Sequence, residues 1–280
     1  MRLGGKGGWI GAGRCGMVKA NGILLDVESA RMCLLMVIHR YVRDYPLVLA
    51  ANRDEYYDRP AQGPQRLATA PAVWGGRDLR AGGTWLGVNA HGLVVGLTNR
   101  RLQPEQENDP RRRSRGLLCL EALRCRSAAE AAAWLAQQPP DQYNPCNLML
   151  VDAHQAFWVA YEGKATVQAL APGVHLLANG NLNDVTTARI QRARHLLQRL
   201  APAPLAAVLP LLEAICRDHE AAAQEHDTIC LHRAGGKYGT VSSTILAVAP
   251  GLRHSVYRYA AGPPCRAPYQ DYSSLFADAP

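Results

Sequence analysis

From Cys33 onward the apolar and polar positions fall into short, regularly spaced runs. Residues 33–38 and 47–51 are apolar runs separated by a polar stretch, and residues 84–89 and 93–98 flank Ala90-His91-Gly92. That patterning predicts two β-hairpins. Two helices are predicted next, over 114–123 and 128–137, the second opened by Ser127 and Glu130 at capping-box spacing. Strands follow at 147–151, 156–161 and 174–178, then helices at about 185–200 and 204–223, then strands at 241–248 and 255–259. Paired strands interleaved with paired helices predict antiparallel sheets covered by helices, an α+β layered domain rather than parallel βαβ alternation.

The chain has no internal repeat. Residues 1–31 read as an unstructured extension, 32–262 as one domain, and 263–280, with Pro263, Pro264 and Pro268, as an irregular tail. Residues 102–113, with Pro104, Asn108, Pro110 and Arg111 to Arg113, read as an exposed loop within the domain.

Composition narrows the function classes. At 280 residues and 48% hydrophobic, the chain can bury a core without disulfide or metal staples. Only 6% of residues are aromatic, so that core rests on Leu, Val, Ile and Ala. The formal net charge is +8, of which +3 lies in residues 1–31. The remainder is too mildly basic for a general nucleic-acid surface, and no nucleic-acid partner is expected. The eight cysteines show no CxxC pair, which points to a reducing compartment and a cytoplasmic location. The uncharged run 81–99 holds five glycines, Asn89, His91 and Asn99, unlike a membrane helix, and no transmembrane segment is expected. Nothing in the composition sets the oligomeric state.

Several motifs carry no function. Gly11-Ala12-Gly13-Arg14-Cys15-Gly16 matches GxGxxG, but no strand precedes it and Asn21-Gly22 breaks any following helix. His219, Glu220 and His226 miss the HExxH spacing, read as solvent-facing polar residues, and leave no metal assigned. Arg111 to Arg113 with Arg115 read first as a solvated charge run.

A denser constellation starts at Met32-Cys33-Leu34-Leu35 and continues through Asn52-Arg53-Asp54-Glu55, Trp74-Gly75-Gly76-Arg77-Asp78 and Gly82-Gly83-Thr84-Trp85. It ends with Leu97-Thr98-Asn99, Ser114-Arg115-Gly116, Tyr143-Asn144-Pro145-Cys146-Asn147 and Tyr238-Gly239-Thr240. Over nearly all of residues 32–262 the sequence resembles the NRDE family, which includes the transport and Golgi organisation protein 2 relatives. The resemblance implies a four-layer αββα sandwich of the N-terminal nucleophile hydrolase type, similar to penicillin V acylase and bile salt hydrolase.

It also implies roles. Cys33 would be the nucleophile, with its own freed α-amino group as base, because a thiol attacks only after losing its proton. Arg53 would lie beside the thiol, Asp54 would hold the amine, and Asn99 and Asn179 would aim amide N–H groups at a developing oxyanion. Gly82, Gly83 and Trp85 would shape a turn and a core edge. Cys33 must then open the mature chain. Residues 1–31 are accordingly a propeptide cut after Met32, a mitochondrial address, or a consequence of start-site choice. One departure bears on catalysis: Val241 stands where family members often carry Arg. Two functions follow. The first is an N-terminal cysteine amidase or thioesterase acting on a small acyl substrate, with no cofactor required. The second is a non-catalytic carrier of haem, lipid or acyl-CoA, in which Cys33 ligates iron or is merely buried, and Arg111 to Arg115 meet propionates or phosphates.

Overall fold

The first two apolar runs are uninterrupted because both of their faces are covered. In the computed structural model, which describes residues 33–101, 108–198, 200, 202–220, 228–233, 236–277 and 279, β1 (Leu34–Val42) sends Leu35 and Val37 into one apolar cluster and Leu34, Met36 and Ile38 into another. Successive side chains leave opposite faces of a strand, so a strand sandwiched on both sides has no polar alternation. β2 (Tyr45–Tyr56) behaves likewise, with Leu47 and Leu49 on one side and Val48 and Ala50 on the other.

β1 and β2 form the expected hairpin at the heart of a six-stranded antiparallel sheet. Its order is β10 (Gly173–Leu177), β1, β2, β11 (Tyr238–Val248), β12 (Val256–Ala260) and β13 (Gln270–Asp271). The second sheet runs in chain order: β3 (Ala61–Thr69), β4 (Ala72–Asp78), β5 (Leu86–Asn89), β6 (Val94–Asn99), β7 (Cys146–Val151), β8 (Ala156–Tyr161) and β9 (Ala165–Leu170). Leu35, Val37, Leu47 and Leu49 meet Trp74, Leu86, Val88 and Met149 between the sheets. The outer face of the first sheet is covered by α3 (Ala188–Leu197) and α4 (Leu205–Cys216), and that of the second by α1 (Arg115–Ala122) and α2 (Ala128–Ala136). The result is the four-layer αββα sandwich.

Sequence expectation and structure part at the edges. β3, β4 and β9 were not expected: β9 is a largely exposed edge strand with no apolar run, and β4 is interrupted by Gly75-Gly76. α4 ends at Cys216 rather than extending to 223. The tail expected to be irregular is instead ordered. Residues 270–271 add β13 to the first sheet, and a 3₁₀ turn, Ser273–Phe276, buries Phe276 against Trp74 and Tyr257. Proline-rich composition concealed this because one buried aromatic, Phe276, suffices to dock a short turn. At α2 one arm of the capping box forms, with Ser127 Oγ accepting from Glu130 N–H, while the Glu130 carboxylate accepts from Arg126 N–H. Residues 1–32, and with them the GxGxxG match, lie outside the described residues. Among those described, no helix is long and apolar enough to cross a membrane, and all seven cysteines are free, five of them buried.

Candidate functional site

The site forms where β1, β2 and β11 reach the end of the sandwich. Asp54 is its hub. The β2–β11 ladder slips by one residue between Thr240 and Ser242, placing Val241 in the irregularity, opposite no β2 residue. Just before the slip Thr240 pairs with Asp54, and its hydroxyl donates to Asp54 Oδ1 at 2.6 Å. Arg189, from the first turn of α3, donates to Asp54 Oδ2 at 2.6 Å, and both side chains are fully buried. The Asp54 carbonyl accepts from Tyr238 Oη at 3.0 Å and faces Cys33 Sγ at 3.7 Å.

Cys33 precedes β1 directly. Its backbone N–H donates to Asn179 Oδ1 at 3.1 Å. Asn179 follows β10, β1's neighbour, and is anchored from the second sheet. Thr98 Oγ1 donates to the Ala178 carbonyl at 2.7 Å, and Arg101 N–H to the Asn179 carbonyl at 2.8 Å. Asn147 Nδ2 donates to Thr98 Oγ1 and to the Gly180 carbonyl, while its Oδ1 accepts from Arg100. These bonds stitch the two sheets together at the end where Asn99 terminates β6.

Cys33, Arg53, Asp54 and Asn99 all line one open cavity of about 530 Å³. Arg53 lies 4.4 Å over the Trp85 ring and 3.8 Å from Glu55. Trp85, expected at a core edge, therefore helps wall the cavity. Gly83 fits its expected place: a Cβ there would stand 2.2 Å from the Gly116 carbonyl carbon, and Thr84 N–H donates to the Gly116 carbonyl. Only glycine lets these two segments cross so closely.

The basic loop is solvated at Arg111, as expected, but its arginines are also paired. Arg111 pairs with Asp109, Arg112 with Asp141 and Arg113 with Glu121, while Arg115 donates to the Pro145 carbonyl. Arg112, Arg113 and Arg115 nonetheless border the cavity.

The electrostatics disfavour a thiolate in this form of the chain. Burial, and then the nearby Asp54 carboxylate, push the Cys33 thiol up to about 12, with Arg53 opposing. Burial also raises Asp54, against the pull of Arg189 and Thr240. Asp54 was expected to hold the amine, but its carboxylate is turned to Arg189 and Thr240, and the Asn179 amide oxygen meets the nitrogen instead. Sequence reading missed Arg189 and gave no role to Thr240 and Asn147, although both stand in the motifs that carry the resemblance. Arg189 left one signal: it precedes Ile190 on the face that carries Ala193 and Leu197 inward, an arginine at an apolar helix position.

This architecture has known counterparts. Penicillin V acylase from Agrobacterium tumefaciens superposes with a TM-score of 0.51 at 12% identity, over 82% of either chain. The Caenorhabditis elegans N-acylethanolamine-hydrolyzing acid amidase ortholog gives 0.51 at 13%, over 78% of this chain and 93% of that one. The fold is thus that of the N-terminal nucleophile hydrolases. In sequence, the chain is 30% identical over 234 residues to the Bos taurus transport and Golgi organization protein 2 homolog, covering 73% of this chain and 82% of that one. It is 33% identical over 148 residues to the Mus musculus homolog, about half of each chain. The model of the Transport and Golgi organisation 2 family matches residues 32–257, and the chain belongs to that family.

Proposed function

We propose that the chain is an N-terminal cysteine hydrolase that cleaves an amide or thioester of a small acyl substrate once Cys33 carries a free amine. The observation that carries this reading is the pairing of Cys33 N with Asn179 Oδ1 at 3.1 Å beside a thiol that lines the cavity. In the chain as described that nitrogen is an amide and accepts no proton. Freed, it becomes a base with a reference pKa near 7.7–8.0 attached to the same residue as the sulfur.

The steps follow from the residues. The amine takes the Sγ proton, Sγ attacks the substrate carbonyl, and the C=O electron pair becomes the oxyanion. Asn179 Oδ1 orients the amine, and the amide of Asn99, which lines the cavity, donates to the oxyanion, with Asn179 assigned beside it by family resemblance. The protonated amine returns its proton to the leaving nitrogen or, for a thioester, to the leaving sulfur, and is free again as a base. Water then attacks the acyl-enzyme by the reverse proton route. Arg53, held by Trp85 and Glu55, supplies positive charge at the thiol, while Arg189 keeps the Asp54 backbone in register behind it.

The test compares a chain starting at Met32, whose initiator methionine is removable ahead of Cys33, with the Met1 chain and with Cys33→Ala. An acylating thiol probe is expected to add its acyl mass to Cys33 in the first chain alone. Equal labelling of the Met32-start chain and its Cys33→Ala variant would overturn the proposal. The high thiol pKa and the arginine-bordered cavity also favour a second reading, a carrier of an anionic acyl-CoA, lipid or haem. There ligand binds equally well to Cys33→Ala, and no acyl-enzyme forms.

A further inference from the structure

A second cluster of chemistry lies apart from the cavity, on the lead-in to β11. His219, Cys230, His232 and Cys265 each present a ligand atom, and these atoms lie within 4.8 Å of one another. They arrive from three segments: His219 from beyond the end of α4, Cys230 and His232 from the strand-like stretch that bridges Gly239, and Cys265 from the turn after β12. His232 Nε2 is 3.2 Å from Cys265 Sγ and 3.8 Å from Cys230 Sγ. In a tetrahedral zinc site with Zn–S of about 2.3 Å and Zn–N of about 2.0–2.1 Å, donor atoms stand about 3.4–3.8 Å apart. The two distances straddle that spacing.

From this geometry we propose that His219, Cys230, His232 and Cys265 form a structural Cys₂His₂ site for a zinc-class divalent cation. Two further observations point the same way. His219 Nδ1 bonds the Cys230 carbonyl at 2.9 Å, the outer-shell anchor that leaves Nε2 for a metal. The two imidazoles stand side by side, with centroids 5.1 Å apart, rather than each bonding a separate surface partner. Two thiolates with two imidazoles select zinc over harder cations, and four protein ligands close the site to catalysis. The pattern was illegible in sequence because Cys-x-His with partners 11 residues upstream and 33 downstream matches no zinc-ribbon or finger spacing.

Metal here would clamp α4 and the C-terminal segment to β11's lead-in. That lead-in holds the hydrolase-like site: Leu231 N–H donates to Thr240 Oγ1 at 2.8 Å, and the same hydroxyl donates to Asp54. The site stands whether or not Cys33 is catalytic.

The full chain, purified under reductant and stripped with a chelator, is titrated with Co(II) and then Zn(II). One equivalent of Co(II) is expected to give the intense visible bands of tetrahedral coordination with thiolate-to-cobalt charge transfer, and Zn(II) to abolish them. Cys265→Ser should roughly halve the charge-transfer band. His219→Asn, at an exposed position, should weaken affinity by more than the about 10–100-fold typical of outer-shell changes. A wild-type chain without tetrahedral cobalt bands, or bands unchanged in both variants, would overturn the proposal.

Discussion

Replacing Arg189 by Met tests whether the buried ion pair organises the site. Both partners are fully buried and 2.6 Å apart, so the methionine fills the same channel and leaves the Asp54 carboxylate leaning on the Thr240 hydroxyl without its cation. Removing one member of such a pair leaves an uncompensated charge, which costs about 3–5 kcal/mol. At about 2–4 °C per kcal/mol for a domain of this size, the melting temperature should drop by about 6–20 °C. The loss has a pH signature. Burial already raises Asp54 above its usual range, and Arg189 opposes that rise. A carboxyl whose folded pKa is raised takes up a proton on folding, so folding is penalised as pH rises above the unfolded value of about 3.9. Without Arg189 the folded pKa climbs further, the window widens, and the penalty is larger near pH 8 than near pH 5. Urea unfolding at both pH values, with unchanged slope, reads it directly, and Asp54→Asn in the Arg189→Met background should recover part of the loss. A deficit no larger than the about 0–1 kcal/mol of an exposed pair, or one independent of pH, would refute the reasoning.

Other expectations are quicker to check. In the Met1 chain the Cys33 thiol, raised to about 12, should alkylate at neutral pH at least about 100-fold more slowly than a free cysteine, with the rate still climbing above pH 10; mass spectrometry of the Cys33 peptide measures it. Gly83→Ala drives a Cβ to 2.2 Å from the Gly116 carbonyl carbon, and thermal melts should show a loss at or above the about 1–3 kcal/mol of overpacking. Asn89 is fully buried, its amide donating to the Leu123 and Cys125 carbonyls and accepting from His91 and Leu93 N–H. Asn89→Ala should therefore cost about 3 kcal/mol or more by urea titration, since each orphaned buried group costs about 1–3 kcal/mol.

What the sequence disclosed followed from how each residue's environment is written locally. β1 and β2 were legible because burial on both faces forces an apolar run, and Ser127-Glu130 marked α2 because a cap is a local device. β9 was hidden because an edge strand with one solvated face needs few apolar residues, and the C-terminal turn because its anchor is a single Phe276. At the site, Cys33, Arg53, Asp54 and Asn99 share a cavity, yet the contacts that orient them were not legible, even where the partner, Thr240, stood in a quoted motif. Arg189 and Thr240 lie 135 and 186 residues from Asp54, and nothing local requires either contact. The replacement of Asp54 by Asn179 at the Cys33 nitrogen is of the same kind, since which side chain turns toward an atom is settled by third parties such as Arg189.

Val241 takes on a different meaning beside Arg189. An arginine at position 241 would start from the slipped part of the β2–β11 ladder, close to the Thr240 that holds Asp54. Here positive charge reaches Asp54 from α3 and approaches the thiol from Arg53 on β2. With Val241 on β11, the centre is still not uncharged: its buried cation stands on the first turn of α3, packed between helices and sheet. A guanidinium there cannot swing out to greet substrate. It braces Asp54, so the positive charge that faces the cavity comes instead from arginines that line it, Arg53, Arg112 and Arg115 among them.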